Sequence, residues 1–268
     1  MSDMSIRKGF FTDTTLCIGC KACEVACKQW NQLPEDGLLF TGMSYDNTVR
    51  LGASTWRHVA FIERPVPIRT QDAGAFSWLF SSDVCKHCAR AGCLESCPTG
   101  AIIRTEFDSV YVQPDVCNGC GYCVVNCPFG VIDRREDDGR AWKCTLCYDR
   151  LRADMQPACA KACPTESIQF GDLDELRARA EARVDKLQEA GVREAYLYGA
   201  SETEQPGTGG LNAFFLLLDK PEVYNLPPDP VVPTKKVKEA WTSMAFAAAG
   251  MALAAVGSVL FSHQGSHT

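Results

Sequence analysis

The sequence predicts an α+β protein with two nested pairs of cysteine motifs, a small α+β appendage and a single C-terminal transmembrane helix. Three observations lead to this class: sixteen cysteines lie in four short runs, a helix-period segment flanked by strand-like segments follows the last run, and a charge-free apolar segment lies near the C-terminus. The chain has 27 Lys and Arg against 33 Asp and Glu. This acidic balance disfavours nucleic acid as a partner, because binding to phosphates needs a basic surface.

Each cysteine run contains four cysteines, and none is left over. The first and third runs have the spacing C-x2-C-x2-C-x3-C, whereas one gap widens to four residues in the second run and to eleven in the fourth. In chain order the runs are Cys17, Cys20, Cys23 and Cys27; Cys85, Cys88, Cys93 and Cys97; Cys117, Cys120, Cys123 and Cys127; and Cys144, Cys147, Cys159 and Cys163. This spacing is typical of ferredoxins, in which three thiolates of a run hold one [4Fe-4S] cluster and the fourth holds the neighbouring cluster. The sequence therefore predicts four [4Fe-4S] clusters in two ferredoxin-like pairs.

Nesting of the runs predicts which cysteines share a cluster. The second and third runs form the inner pair, and the first and fourth runs form the outer pair. The inner pair assigns Cys85, Cys88 and Cys93 with Cys127, and Cys97 with Cys117, Cys120 and Cys123. The outer pair assigns Cys17, Cys20 and Cys23 with Cys163, and Cys27 with Cys144, Cys147 and Cys159.

Disulfides and zinc are the alternatives for so many cysteines. Cysteines two residues apart strain the geometry of a disulfide bridge, and zinc prefers two well-separated pairs of ligands. The spacing therefore favours iron–sulfur clusters over both. His87 lies inside the second run, but four cysteines already serve each cluster, so we expect it beside the ligands or at the surface instead of as a ligand.

A repeated frame, C-P-x-x-x-I, follows the last three runs, whereas Lys28 stands at the proline position of the first. The frame predicts a short helical turn that ends near the cysteine and a strand that begins near the isoleucine. Ile102, Ile132 and Ile168 are then expected to cover a cluster and to keep water away from it, which influences the reduction potential.

The motif order divides the chain into five segments. They are an outer ferredoxin-like pair formed by residues 1–34 and 140–171, an insertion at 35–80, an inner ferredoxin-like pair at 81–139, an α+β appendage with a proline-rich linker at 172–233, and a transmembrane anchor at 234–268. Residues 58–62 and 76–80 predict a strand hairpin in the insertion. Residues 102–104 and 110–112 predict a second hairpin in the inner pair.

The appendage contains an amphipathic helix. Apolar residues recur at steps of three and four over residues 172–191, and Asp172 and Glu175 form a capping box at its start. Segments 195–198 and 211–218 predict two strands, joined by a loop rich in Gly, Pro and Thr.

The anchor is predicted from residues 240–261, which hold 22 residues without a charge. A helix of that length spans about 33 Å, close to the ~30 Å hydrocarbon core of a bilayer. Gly250, Ala254 and Ser258 recur at every fourth position, a pattern by which membrane helices approach each other closely. The helix is therefore expected to dock on a membrane partner.

The sequence offers no pattern for catalysis. It contains no nucleophile–base pair, phosphate-binding glycine loop or open metal site, so we expect the chain to transfer electrons and not to be an enzyme on its own.

Three segments carry a resemblance to a known family. They are Cys17-Ile18-Gly19-Cys20-Lys21-Ala22-Cys23 with Trp30-Asn31 beyond it, Lys143-Cys144-Thr145-Leu146-Cys147, and Pro157-Ala158-Cys159. Together they resemble the four-cluster iron–sulfur subunits of molybdopterin oxidoreductases. Gly209-Gly210, Pro221-Glu222-Val223-Tyr224 and the C-terminal membrane helix make the chain most similar to the beta subunits of membrane-bound formate dehydrogenases.

The resemblance implies an alpha subunit whose molybdenum or tungsten pterin site oxidises formate, and a gamma subunit, a membrane cytochrome b, that reduces quinone. It also implies a cluster domain on the periplasmic side of the inner membrane, exported with the twin-arginine signal of the alpha subunit. The positive-inside rule favours the opposite side, since Lys235, Lys236 and Lys238 precede the helix. Two alternatives remain: the same role beside a hydrogenase or an oxyanion reductase, and a membrane structural protein stapled by zinc or disulfides.

Overall fold

The computed structural model describes residues 7–37, 40–42, 45–64 and 77–264. The protein divides into two units, residues 1–232 and 233–268. The strands are β1 (Lys8–Asp13), β2 (Arg57–Arg64), β3 (Ser77–Val84), β4 (Ile102–Arg104), β5 (Val110–Val112), β6 (Asp133–Arg134), β7 (Ala141–Trp142), β8 (Ile168–Asp172), β9 (Tyr196–Tyr198) and β10 (Ala213–Leu217). The helices are α1 (Ala22–Trp30), α2 (Gly92–Glu95), α3 (Tyr122–Val125), α4 (Tyr148–Arg152), α5 (Ala158–Lys161), α6 (Leu173–Glu189) and α7 (Val237–Gln264).

The largest sheet has four strands in the order β8-β1-β10-β9. Strand β1 runs parallel to β10 and antiparallel to β8. Phe10 packs with cysteines and Trp56 on one side of β1, and Phe11 packs with the apolar residues of α6 and β10 on the other. The N-terminal strand therefore separates a cysteine-rich core from an aliphatic core.

The predicted appendage shares this sheet. Strand β10 lies between β1 and β9, and α6 packs on β1 through Leu173, Leu176 and Ala180, all three fully buried. Residues 172–233 were predicted as a separate segment because the sequence pattern does not identify β1. Since β1 and β10 are buried on both faces, neither shows the alternation of apolar and polar residues that is typical of a strand.

The predicted helix at 172–191 is observed as α6, and the predicted strands at 195–198 and 211–218 as β9 and β10. The carboxylate of Asp172 caps the helix by accepting the backbone N–H of Asp174 at 3.1 Å. The capping bond therefore reaches the second helical residue instead of the third, where the predicted capping box places it.

Both predicted hairpins are present as antiparallel pairs. Strands β4 and β5 have the predicted bounds, and Ile102 pairs with Val112. Strands β2 and β3 are longer than predicted and pair from Arg57 with Val84 to Arg64 with Ser77. Phe76, the predicted first residue of the second strand, lies outside the described residues.

Helix α7 forms most of the second unit. Residues 233–258 are long and apolar enough to cross a membrane, and none of their apolar window is buried within the protein. The predicted span at 240–261 falls within α7. By length and composition, one apolar helix at the C-terminus could therefore anchor the protein to a membrane.

Candidate functional site

Three cavities are each lined by four cysteines from two different runs. Site 1 is lined by Cys17, Cys20, Cys23 and Cys163. Site 3 is lined by Cys85, Cys88, Cys93 and Cys127. Site 4 is lined by Cys97, Cys117, Cys120 and Cys123. In each site, three thiols come from one run and the remaining thiol comes from the end of another run.

The remaining four cysteines, Cys27, Cys144, Cys147 and Cys159, form site 2. The thiol of Cys27 interacts electrostatically with the three others. The side-chain amide of Asn31 lies 3.7 Å from the sulfur of Cys27 and bonds its carbonyl oxygen at 2.8 Å. All sixteen cysteines are free, so none is engaged in a disulfide. The structure thus places the sixteen thiols in four groups of four, and the ligand assignment from the nesting of the runs remains a prediction.

The sites follow one another in a row. Electrostatic interactions connect Cys23 of site 1 with Cys159 of site 2, and Cys144 of site 2 with Cys85 of site 3. A third interaction connects Cys93 of site 3 with Cys123 of site 4. The order is therefore site 1, site 2, site 3, site 4.

A repeated backbone geometry directs the thiols of a run to one point. The third cysteine of every run is the second residue of a helix, namely α1, α2, α3 or α5. In the third run, Gly119 and Gly121 have φ of +73° and +78°, and a Cβ at Gly119 would lie 2.4 Å from the carbonyl oxygen of Gly139. Gly19 and Lys21 take the same left-handed conformation in the first run. Glycine is required at position 119 by both its φ and the close approach.

The three isoleucines of the repeated frame are buried against the thiols. Ile168 lines site 1, Ile132 lines site 3 and Ile102 lines site 4, and each is at most 5% exposed. The frame therefore places one branched apolar side chain beside each of these three sites, as the sequence predicts.

Burial raises the pKa of three thiols that lie in sites 1, 3 and 4. It raises the pKa of Cys23 and of Cys123 to about 11 and that of Cys93 to about 12, and neighbouring thiols in the sites add to the effect. A thiolate is unfavourable in such surroundings unless a positive charge compensates it. Iron supplies that charge when it is bound by thiolates.

Arg57 provides a positive charge between sites 1 and 2. Its side chain is buried, and one terminal nitrogen donates to the sulfur of Cys159 at 3.4 Å. The other terminal nitrogen donates to the backbone and side-chain oxygens of Ser82 at 3.2 and 3.3 Å. The hydroxyl of Ser82 in turn lies 3.3 Å from the sulfur of Cys23. The guanidinium group therefore contacts one site directly and the other through Ser82.

Two buried lysines lie beside site 3. Lys143 donates to the carbonyl oxygens of Val110 and Cys144 and interacts with the thiols of Cys85 and Cys93. Lys86 lines the cavity of site 3 and forms an ion pair with Asp83.

The sequence pattern did not predict these three buried cations. Lys86 and Lys143 adjoin cysteines in the sequence, which is a usable signal. Arg57 lies 102 residues from Cys159, and no local pattern connects the two.

His87 is buried in the wall of site 3, so the alternative of a surface position is wrong. Its Nδ1 accepts the backbone N–H of Val110 at 3.1 Å. Burial, together with the charges of Lys143 and Arg104, holds the pKa of His87 well below its usual value, so the ring is neutral.

The donor set fits iron–sulfur clusters better than a single metal ion. Among the described residues, which include all sixteen cysteines, no group of three or more Cys, His, Asp or Glu side chains could hold one metal ion. A zinc site would bring its four ligands together at a single ion. Four thiols around a cavity instead match a cubane cluster, whose iron atoms take one thiolate each.

Comparison with known proteins agrees with this chemistry. Residues 16–101 and residues 76–173 each match a family of 4Fe-4S dicluster domains. Together the two matches include all four cysteine runs.

Curated relatives cover most of the sequence. The formate dehydrogenase iron–sulfur subunit of Haemophilus influenzae is 40% identical over 86% of this chain and 72% of the relative. The iron–sulfur subunit of the nitrate-inducible formate dehydrogenase of Escherichia coli is 41% identical over 83% of this chain and 73% of the relative. One subunit of the anaerobic dimethyl sulfoxide reductase of Escherichia coli is 34% identical over 66% of this chain and 78% of the relative.

These matches agree with the resemblance carried by the cysteine runs, the Trp30-Asn31 pair and the segment after residue 208. Identity of about 40% over more than four-fifths of the sequence, with dicluster domains across all four runs, establishes the relationship. This chain therefore belongs to the family of formate dehydrogenase iron–sulfur subunits.

Proposed function

We propose that this chain binds four [4Fe-4S] clusters, one in each of sites 1 to 4, and serves as the electron-transfer subunit of a formate-oxidising complex. The observation that carries the proposal is the assembly of sixteen free thiols into four sets of four. Each set draws one thiol from the end of another run, which fixes the spacing between neighbouring sites. When bound, a cluster of this kind accepts and releases single electrons.

The thiolates are the proposed ligands, and the surrounding residues control their environment. Ile102, Ile132 and Ile168 exclude water from three of the sites. Arg57 and Lys143 place positive charge beside the buried thiolates, which offsets the cost of burying them. The chain supplies no catalytic group in this proposal, and chemistry on the substrate belongs to a partner.

The row of sites supports electron transfer through the protein from one partner subunit to another. Cys20 in site 1 and Cys120 in site 4 are exposed, whereas all four cysteines of site 2 are buried. Sites 1 and 4 are therefore the ends at which other subunits reach the row. Exposed apolar side chains suited to such contacts lie at both ends, namely Ile18, which lines site 1, and Tyr122, which immediately precedes Cys123 of site 4.

The proposed partners are a catalytic alpha subunit with a molybdenum or tungsten pterin site and a membrane cytochrome b that passes electrons to quinone. The names of the relatives, which are formate dehydrogenase iron–sulfur subunits, support the first partner. The apolar C-terminal helix supports the second, since it is suited to docking beside other membrane helices.

A second candidate is the same role beside a reductase of a sulfur or nitrogen compound. It is favoured by the 34% identity to a subunit of an anaerobic dimethyl sulfoxide reductase. That relative matches a smaller share of this chain than the formate dehydrogenase subunit of Haemophilus influenzae does, 66% against 86%. Formate oxidation is therefore the preferred assignment.

We place the cluster-binding unit on the periplasmic side of the inner membrane, as the family resemblance implies. Lys235, Lys236 and Lys238 precede the helix and favour the opposite side by the positive-inside rule, so we assign them to contacts with lipid phosphates. Protease treatment of intact spheroplasts tests the placement. Digestion of residues 1–232 supports the periplasmic side, and protection until the membrane is permeabilised contradicts it.

The function is tested by electron paramagnetic resonance (EPR) on the anaerobically purified membrane complex, before and after formate is added. Cluster signals that appear with formate support transfer from a formate-oxidising partner. Signals that appear only with a strong chemical reductant support cluster binding but contradict a formate-oxidising partner. The chain would then serve another catalytic partner. Absence of signals under both conditions would contradict cluster binding itself.

A further inference from the structure

His87 lies in the wall of site 3, between Lys86 and the cysteine ligand Cys88. It is 1% exposed, and its backbone has φ of +43°, a conformation that side chains other than glycine seldom adopt. The backbone is held there because the carbonyl oxygen of Lys86 accepts the N–H groups of Asn212 and Ala213 at 3.1 and 3.0 Å. The backbone that carries the imidazole is therefore anchored to the segment at Asn212 and Ala213.

The hydrogen bond of Nδ1 determines where the ring proton is. Val110 donates its backbone N–H to this nitrogen at 3.1 Å, so Nδ1 must be an acceptor. A neutral imidazole with an acceptor at Nδ1 carries its proton on Nε2. His87 therefore presents one N–H donor at Nε2, away from its bond with Val110.

That donor has no acceptor among the described residues. Nε2 of His87 is buried, and it finds no hydrogen-bond partner within the part of the chain that the structure describes. A buried donor without an acceptor is unfavourable, and such groups are rare in folded proteins. The charged groups that face the ring, Lys143, Arg104 and Arg57, are all donors and cannot accept its proton.

We propose that Nε2–H of His87 donates a hydrogen bond to a sulfur of the cluster in site 3. The inference rests on the proposed binding of a cluster there, and it makes His87 a positioning residue for that cluster, not a ligand. A hydrogen bond to a cluster sulfur stabilises the reduced, more negative state and therefore raises the midpoint potential.

Two substitutions distinguish the acceptor role of Nδ1 from the donor role of Nε2. The side chain of His87→Asn retains a polar atom at the position of Nδ1, which can still accept from Val110, and Asn tolerates a positive φ. It has no atom that reaches the position of Nε2. His87→Gln extends an amide toward the position of Nε2 but loses the acceptor for Val110.

The anaerobically purified complex is examined by redox titration followed by EPR, together with iron and acid-labile sulfide content. We expect His87→Asn to retain full cluster content but to lower the midpoint potential of one cluster signal. His87→Gln keeps that midpoint potential near the wild-type value and lowers the thermal unfolding temperature. A purely structural role for His87 predicts unchanged midpoint potentials in both variants.

Pulsed EPR on complex labelled with ¹⁵N-histidine gives a direct readout. We expect a histidine nitrogen coupling to the cluster of site 3 in the wild type and its loss in His87→Asn. Full cluster content with unchanged midpoint potentials and no such coupling would overturn the inference while leaving the proposed function intact, and would assign the donor to a buried water. A wild-type complex without iron and sulfide would overturn both.

Discussion

Buried positive side chains beside the thiols are the main feature at the scale of single residues. Arg57 contacts Cys159 directly, and Lys143 interacts with Cys85 and Cys93. A buried cation is costly unless charges of opposite sign surround it. The thiolate ligands of the proposed clusters supply those charges, so we expect the cations and the ligands to stabilise each other in the folded protein.

Replacement of Arg57 by Gln is expected to lower the midpoint potential of the cluster in site 2, because the reduced cluster loses a nearby positive charge. We also expect a loss of about 1–3 kcal/mol in the free energy of unfolding, since buried hydrogen bonds to Ser82 and Cys159 are removed. Redox titration followed by EPR measures the first effect, and urea unfolding measures the second. Arg57→Lys keeps the positive charge, so its midpoint potential should stay close to the wild-type value.

Arg152→Gln provides the matched control for the loss of charge. Arg152 is exposed, so water and salt screen its charge from the sites. An equal fall in midpoint potential in Arg57→Gln and Arg152→Gln would show that net charge, and not the buried contact, is responsible.

The raised thiol pKa values predict how the stability of the metal-free protein depends on pH. Burial raises the pKa of Cys23 and of Cys123 to about 11, from an ordinary value of 9.0. Between about pH 9 and 11 the unfolded chain has released these protons and the folded chain has kept them. The folded state therefore binds more protons, and stability falls as the pH rises through this window.

Urea unfolding of the metal-free protein at about pH 7, 9 and 10.5 measures this dependence. The midpoint urea concentration should change little between the first two and fall at the third. The cluster-loaded protein serves as the control, because its cysteines are already thiolates. A midpoint that rises at the highest pH would show that burial does not raise the thiol pKa values.

At the scale of elements, short helices and strands alternate with the cysteine runs. The third cysteine of each run is the second residue of a helix, and an isoleucine after the fourth cysteine precedes or begins a strand in the last three runs. The end of the fourth run leads directly into β8, which pairs with β1 beside site 1. This connection carries Cys163 away from its own run and into the first site.

Substitution of Cys163 by Ser is therefore expected to damage the cluster held by the first run and to spare the cluster held by Cys27, Cys144, Cys147 and Cys159. The physical reason is that Cys163 lines site 1 and not site 2. EPR of the reduced complex distinguishes the two outcomes. Cys159→Ser is the matched control and should affect site 2 instead. Damage to site 2 in Cys163→Ser would contradict the nested assignment.

Helix α6 stabilises the sheet without lining the sites. Leu176 is 1% exposed and packs in the aliphatic core with Phe214 and Leu216. Leu176→Ala should cost about 2–5 kcal/mol of unfolding free energy, because it leaves a cavity in a closely packed core. Urea unfolding measures the loss, and Asp185→Ala on the exposed face is the control. Cluster content of the folded variant should equal that of the wild type.

At the scale of the whole molecule, the protein consists of a cluster-binding unit, residues 1–232, and a helical unit, residues 233–268. The first unit has its own buried cores, whereas the apolar window of the second is entirely exposed. An exposed apolar helix of this length is unfavourable in water and favourable in a bilayer. Membrane attachment is therefore expected to depend on the second unit alone.

Removal of residues 233–268 should release the protein from the membrane while leaving its cluster signals intact. Fractionation followed by EPR of the soluble fraction measures both properties. A full-length variant with two charged residues placed in the middle of the helix, Ala248→Asp and Leu253→Asp, is the control and should also be released. Retention of the truncated protein on membranes would mean that partner subunits, not the helix, hold it there.

The sequence alone determined the features that depend on local spacing. Sixteen cysteines at regular intervals predicted four sets of ligands, because residues a few positions apart in a run must lie close together whatever the rest of the protein does. The helix at 172–191, the hairpin of β4 with β5 and the apolar C-terminal helix follow from periodicity and length in the same way.

Only the tertiary structure decided the contacts between distant segments. It paired β1 with β10, which lie far apart in the sequence. It also brought Arg57 within hydrogen-bond distance of the Cys159 sulfur, and the backbone N–H of Val110 within hydrogen-bond distance of His87. The burial of β1 and β10 on both faces removes the periodic signal of a strand, and a buried arginine has no local pattern that identifies its partner. These contacts depend on how complete elements pack, so the spacing of residues along the sequence does not encode them.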